Sequence, residues 1–455
     1  MSEQSAQHPG DQARWPSDRV LDLAPDAASV SAGRKIADSP GWSGEGCTPH
    51  ALWGLASGSG KNPYRTVVDL DGPAYSCSCP SRKFPCKHSL GLLLRWSNGR
   101  VPAGEPPEFA ATWLAGRAER AQAKATKAAE AKPADPAAQA KRARAREAKV
   151  ASGMDELRRW LADQARLGLT QLRAGGYAAC EAPAARMVDA QAPGVASWLR
   201  ELASVMAAGG DWPDRLLEEL GLLQLLADAH SRLPELDEVN PRLAATVRAH
   251  IGYPVAKEAV QQQPAMADHW LVWGIRTTLL DRLTQRTAYL TGLHSGRTAY
   301  ILSFSVGAAA GDPLPVPGRW IDADLHPYPS GGRVLLGEVR GEVESGWDGV
   351  GTDAQHTEPR LTLGVEAALG RVAAVLADDP WAREIPVPLL VTPTRHENRW
   401  LLVDGDGASL PLGGVEPWRL VATCAGQLHP MLACWTPRGW IPVAVRTPDR
   451  RVIAA

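Results

Sequence analysis

The chain has no excess of charge of either sign. Its 49 lysines and arginines meet 50 aspartates and glutamates, for a formal net charge of −1 over 455 residues. That removes any global pull toward nucleic acid or an anionic membrane, so a basic face must be local if it exists. Long apolar runs are missing too. The longest, such as Leu220–Leu226 and Leu90–Leu94, fall far short of a membrane span, and no membrane partner is expected. The first 33 residues contain no basic segment leading into an apolar one, so no secretory signal is read and a cytoplasmic location is expected. Familiar catalytic signatures are absent: no G-x-S-x-G, no H-E-x-x-H and no dinucleotide fingerprint. Gly58-Ser59-Gly60-Lys61 ends like a phosphate loop. Leu55 and Asn62 stand where that loop needs glycine and Ser or Thr, so a glycine turn before a strand is the better reading. No repeat of fixed period is visible. Cysteine is scarce, at seven residues, and in a reducing compartment clustered Cys and His read as metal ligands rather than disulfides.

A chain this long exceeds one core, and its 43 glycines and 37 prolines divide it frequently. An α+β multidomain architecture is expected: a small zinc-stabilised hairpin-and-helix finger, a helical middle domain and a strand-rich C-terminal domain. Residues 1–33 are polar and read as weakly ordered. Residues 34–100 form the finger. There, Tyr64–Leu70 alternates as a strand, Asp71-Gly72-Pro73 turns, and Lys87–Trp96 is helical with Leu90, Leu93 and Leu94 on one face, stopped by Asn98-Gly99. Residues 101–152 form an Ala/Lys/Arg-rich linker. Within 116–149, ten basic residues face four acidic ones, interrupted by Pro133 and Pro136, as two solvated helical pieces. Residues 153–288 carry helical periodicity in Met154–Leu172, Trp198–Met206, Leu216–Ala229, Leu243–Ile251 and Trp270–Leu290, which reads as a bundle. Residues 289–455 shift toward period two. Expected strands are Ala299–Val306, Arg333–Val339, Val387–Thr392, Arg399–Val403, Arg419–Thr423, Met431–Trp435 and Trp440–Val445, with one helix at Val365–Ala377.

Three of the seven cysteines fall within ten residues: Cys77-Ser78-Cys79-Pro80-Ser81-Arg82-Lys83-Phe84-Pro85-Cys86-Lys87-His88. Residues two apart on a strand point the same way, which aims Cys77 and Cys79 at one side together with Tyr75. Residues two apart on a helix diverge, so Cys86 must lie at or before the helix start with His88 in its first turn. Three thiolates and one imidazole complete a tetrahedron and leave no open position for a substrate water, the character of one structural Zn2+. Such a site carries about −1. Arg82, Lys83 and Lys87 surround it; they either offset that charge or contact a partner or nucleic acid.

The Cys-x-Cys and Cys-x-His pairs, followed directly by Ser89-Leu90-Gly91-Leu92-Leu93-Leu94, resemble the SWIM-type zinc finger. With Ala51-Leu52-Trp53-Gly54, Gly58-Ser59-Gly60 and Pro63-Tyr64 ahead of them, they look like the bacterial SWIM zinc finger proteins in particular. The resemblance spans roughly residues 34–97. It implies Cys77, Cys79, Cys86 and His88 as zinc ligands, a module that binds protein or DNA, and an association with MoxR-type AAA ATPases and von Willebrand A proteins.

Other constellations are thinner. Cys47-Thr48-Pro49-His50 lacks two partners for a metal. Asp322, Asp324 and His326 share one strand face, which a solvent-facing edge strand explains as well. The seventeen tryptophans, Trp160, Trp198, Trp270, Trp273, Trp435 and Trp440 among them, read as core anchors ahead of base-stacking platforms. The reading is a non-enzymatic adaptor or regulator with a protein partner. The alternatives are a DNA-binding protein using Arg82, Lys83, Lys87 and the 117–149 stretch, and an unrecognised enzyme within residues 290–455.

Overall fold

The computed structural model describes residues 14–24, 27–58, 62–70, 74–81, 83, 85–129, 136–280, 283–306, 312–343, 362–414, 416–447 and 452–454. Helices α1 (Ser17–Asp22) and α2 (Ala27–Ala37) precede four antiparallel strands in sequential order: β1 (Trp42–Cys47), β2 (Ala51–Ala56), β3 (Tyr64–Asp69) and β4 (Ala74–Cys77). Helix α3 (Lys87–Ser97) follows. Helices therefore occupy much of the described part of residues 14–33, where weak order was expected. Val20 and Ala37 are buried in one core with Leu92 and Leu93, and Trp15 meets Trp96 edge-on at 5.9 Å. Helix α3 buries every residue from His88 to Leu94, because α2 covers the side that the sheet leaves. Gly91 permits this closeness, since a Cβ there would stand 2.6 Å from Ile36 Cγ2. The helix stops as expected: Gly99 takes φ +74°, and the Arg100 amide donates back to Arg95 O at 2.8 Å.

The basic stretch is helical, as α4 (Glu108–Ala129) and α5 (Pro136–Leu167), but it is not a free spacer. Ala110, Phe109 and Trp113 of α4 pack on Trp53 and Val67, and Arg117 pairs with Asp69 at 3.0 Å. Helix α5 runs through residue 152 unbroken. Its buried Val150, Met154, Leu157 and Leu161 recur at helical spacing and enter the bundle core. That bundle adds α6 (Leu169–Ala174), α7 (Gly176–Asp189), α8 (Pro193–Ala207), α9 (Trp212–Ser231), α10 (Leu233–Val239) and α11 (Pro241–Ile251), with Asn240 Oδ1 capping α11 at Leu243 N, 3.1 Å away.

The expected helix over Trp270–Leu290 is instead two strands, β5 (Met266–Leu280) and β6 (Leu283–Gly292). They begin a closed barrel with β7 (Thr298–Val306), β8 (Trp320–Pro327) and β9 (Arg333–Val343), ordered β5-β6-β7-β9-β8. A six-stranded sheet follows: β10 (Ile385–His396), β11 (Arg399–Val403), β12 (Ser409–Pro411), β13 (His429–Thr436), β14 (Gly439–Arg446) and β15 (Val452–Ala454), ordered β12-β11-β10-β13-β14-β15. The helix Val365–Asp378 packs on it as expected. Residues 418–424 pack there too, as a helix where a strand was expected. Barrel and sheet share a core in which Leu271 and Trp273 meet Leu432, Cys434 and Ala444.

One short segment, 379–384, ties the parts together. Trp381 is buried in the bundle core, its Nε1 donating to Leu222 O at 3.0 Å. Asp379 Oδ1 lies 2.9 Å from His250 Nε2. Arg383 pairs with Glu219 and covers the Trp198 ring at 4.2 Å, while Glu384 pairs with Arg276 of the barrel.

Candidate metal centre

The β3–β4 hairpin sets Cys77 directly opposite Thr66, a residue with no exposed surface. Strand β4 ends at Cys77, earlier than the alternation suggested. The strand contact nevertheless continues one residue, since the Arg65 amide donates to Ser78 Oγ (3.0 Å) and the Ser78 amide to Arg65 O (3.1 Å). Cys79 thus remains beside Cys77. On the other side Cys86 occupies the N-cap of α3 with extended backbone (φ −75°, ψ 167°), and His88 is in the first turn. This is the placement that the spacing required.

The structure brings all four side chains together. One donor atom from each of Cys77, Cys79, Cys86 and His88 lies within 4.8 Å of all the others, the one such cluster among the described residues. Cys77 Sγ is 3.7 Å from His88 Nδ1. A tetrahedron with a Zn–S bond of about 2.3 Å and a Zn–N bond of about 2.0 Å puts sulfur and nitrogen about 3.5 Å apart, so these donors stand near coordination spacing. Cys86 is fully buried and His88 nearly so; Cys77 and Cys79 are half-buried.

The thiols are strained for charge in a way a cation relieves. The hydrogen bond to Cys86 holds the Cys77 thiol far above the ordinary range, and burial adds to it. The same bond, seen from the other side, pulls Cys86 down, with His88 and Ser89 helping against burial. Burial raises Cys79. Packed this closely, sulfurs share protons, and a divalent cation replaces those protons with four bonds. The donor set therefore fits one structural zinc, with these four residues to hold it. Its chemistry there is that of a cross-link between a hairpin end and a helix start.

Sequence reasoning missed the surroundings of the donors. Thr66 Oγ1 lies 3.4 Å from Cys77 Sγ, Ser89 Oγ 3.5 Å from Cys86 Sγ, and the Tyr64 ring packs tilted by 40° at 4.9 Å from the His88 ring. Thr66 was discoverable, because a hairpin folded about Asp71-Gly72-Pro73 fixes its position opposite Cys77. Of the three basic residues, Lys83 and Lys87 are exposed, and Arg82 lies outside the described residues.

The remaining candidates fall to other roles. Cys47 Sγ rests 3.7 Å from Val101 O and joins no metal cluster among the described residues. Strand β8 is not an edge: it is paired on both sides, and Arg340 bridges Asp322 (2.6 Å) and Asp324 (2.9 Å), while His326 meets Gln263 O. Trp198, Trp270, Trp273 and Trp440 are buried in cores. Most of Gly58–Lys61 lies outside the described residues.

Residues 64–97 match the model of the SWIM zinc finger, and residues 145–251 match that of the SWIM-associated four-helix bundle domain. The chain carries a SWIM zinc finger followed by a SWIM-associated four-helix bundle domain. No curated protein and no solved structure matches it. The SWIM finger match opens at Tyr64, the residue whose ring packs against His88, and closes with α3. The bundle match opens inside α5, eight residues before the expected domain start, which agrees with the burial of Val150. A zinc-binding interaction role follows for the SWIM finger. No helix among the described residues is long and apolar enough to cross a membrane.

Proposed function

We propose that this SWIM protein is a non-catalytic, cytoplasmic adaptor whose finger offers a zinc-held surface to a protein partner. The partner system is a MoxR-type AAA ATPase with a von Willebrand A protein. The observation that carries the reading is the closed donor set: four donors fill the tetrahedron, and Cys86 and His88 are buried. No position remains for a substrate, so what reaches solvent is the outer surface, with Lys83 and Lys87 on it. The choice of ATPase partner rests on the family resemblance alone. Protein is favoured over DNA because two arginines of the basic stretch are engaged within the fold: Arg117 with Asp69, and Arg146 with Gln191 O and Gly252 O.

The test is co-elution of the full chain with the MoxR-type ATPase and von Willebrand A protein from the same genome. A complex is expected that Cys86→Ser abolishes. No complex at concentrations of about 100 µM, a thousandfold above a 0.1 µM affinity, would defeat the assignment. A second reading, DNA binding, is supported by exposed Lys141, Arg142, Arg144 and Lys149, which lie within roughly 160° of the α5 circumference. It requires retention on duplex DNA that falls steeply with salt, each phosphate contact adding about 0.9 to the logarithmic slope. Retention that does not change with salt removes it.

A further inference from the structure

Bundle, barrel and sheet meet around a cavity of about 750 Å3, within the usual range for small-molecule sites. Its charges divide unequally. The acids on its wall are each taken: Glu201 lies 3.6 Å from Arg383, Asp379 faces His250, and Glu384 pairs with Arg276. Three arginines on the wall are not. Arg371 donates to Gly296 O at 2.9 Å, Arg297 to Met266 Sδ at 3.3 Å, and Arg333 lies over the Tyr328 ring at 4.2 Å. None of the three has a carboxylate at ion-pair distance among the described residues.

Two further observations point to a missing anion. Thr298 is also a wall residue, and its Oγ1 is buried with no hydrogen-bond partner among the described residues. Arg371 is half-buried, and burial pulls its guanidinium below the ordinary value with nothing opposing. A cation taken partly from water without a countercharge is costly unless something negative arrives. The rest of the wall is apolar, with Trp198, Val334 and Val375.

We infer that this cavity binds a small organic phosphate, its phosphoryl group on Arg297, Arg333 and Arg371 with Thr298, and its organic body against Trp198, Val334 and Val375. A carboxylate is satisfied by one guanidinium fork. A phosphate dianion presents three oxygens and suits several forks and a hydroxyl donor. The inference is independent of the adaptor reading.

The test is calorimetric titration of the zinc-loaded full chain with phenyl phosphate, inorganic phosphate and benzoate. Phenyl phosphate is expected to bind at one site per chain and more tightly than either of the others. Arg333→Gln is expected to weaken it about tenfold or more, as is Arg371→Gln, and Thr298→Val severalfold. Binding should survive Cys86→Ser. If Arg371→Gln fails to fold by circular dichroism, Arg333→Gln decides, because that side chain holds no hydrogen bond among the described residues. No heat at roughly 10 mM phenyl phosphate would overturn the site. So would affinity unchanged in Arg333→Gln. Equal affinity for benzoate overturns the phosphate class, and equal affinity for inorganic phosphate overturns the organic body.

Discussion

At the residue scale the molecule depends on a few groups whose charge is managed by neighbours. Cys86→Ser removes the one fully buried donor, and metal analysis should fall from one zinc per chain to well below one; unchanged content would refute the ligand set. Thr66→Val removes the hydroxyl 3.4 Å from Cys77 Sγ and should weaken zinc affinity about tenfold in competition with a chromophoric chelator. His230 gives a pH prediction. Burial holds its imidazole below the ordinary value, and Glu147 at 3.5 Å opposes this only in part. The unfolded chain then binds the proton more readily than the folded one. Stability is full above about pH 6.5 and is lost as pH falls toward the folded value. His230→Leu should flatten the decline in melting temperature from about pH 6.5 to 5. The donors were legible because all four lie within twelve residues and obey two local geometries. The cavity arginines were not: Arg297, Arg333 and Arg371 are far apart in the chain, and nothing about an arginine's own sequence context says that no acid will reach it.

At the element scale, what misled the reading was burial on two sides. In β5, Trp270, Leu271, Val272 and Trp273 are all buried. Trp270 and Val272 fill the barrel, while Leu271 and Trp273 pack outward on β13 and β14. Covered on both faces, the strand loses its period of two and looks like part of a buried helix. Residues 418–424 fail oppositely. The shift toward period two placed a strand at Arg419–Thr423, yet only Leu420 and Cys424 are buried, four apart, which one helical face supplies. Helix Val365–Asp378 was legible from its periodicity, though not its support. Asp404 Oδ2 accepts from Val365 N at 2.8 Å, and Oδ1 from the Asp406 and Ala408 amides. Asp404→Ala leaves those amides without a partner, and a loss of about 2–3 kcal/mol is expected by denaturant titration. A loss under about 0.5 kcal/mol would show that water replaces the carboxylate.

At the scale of the whole molecule, helical and strand-rich parts were both legible as parts, but their joining was not, because it depends on six residues that belong to neither. Trp381→Ala in the full chain should cost about 3–5 kcal/mol. Calorimetry should then show two unfolding transitions in place of one, the bundle melting first. A single transition at the native temperature would mean that the segment does not couple the parts. This arrangement also imposes an order on synthesis. The bundle leaves the ribosome more than a hundred residues before Trp381, with an apolar slot in its core awaiting a side chain not yet made. Until that indole arrives the nascent bundle is an incomplete body with a sticky opening, and a ribosome stalled before residue 381 would expose it to chaperones and proteases.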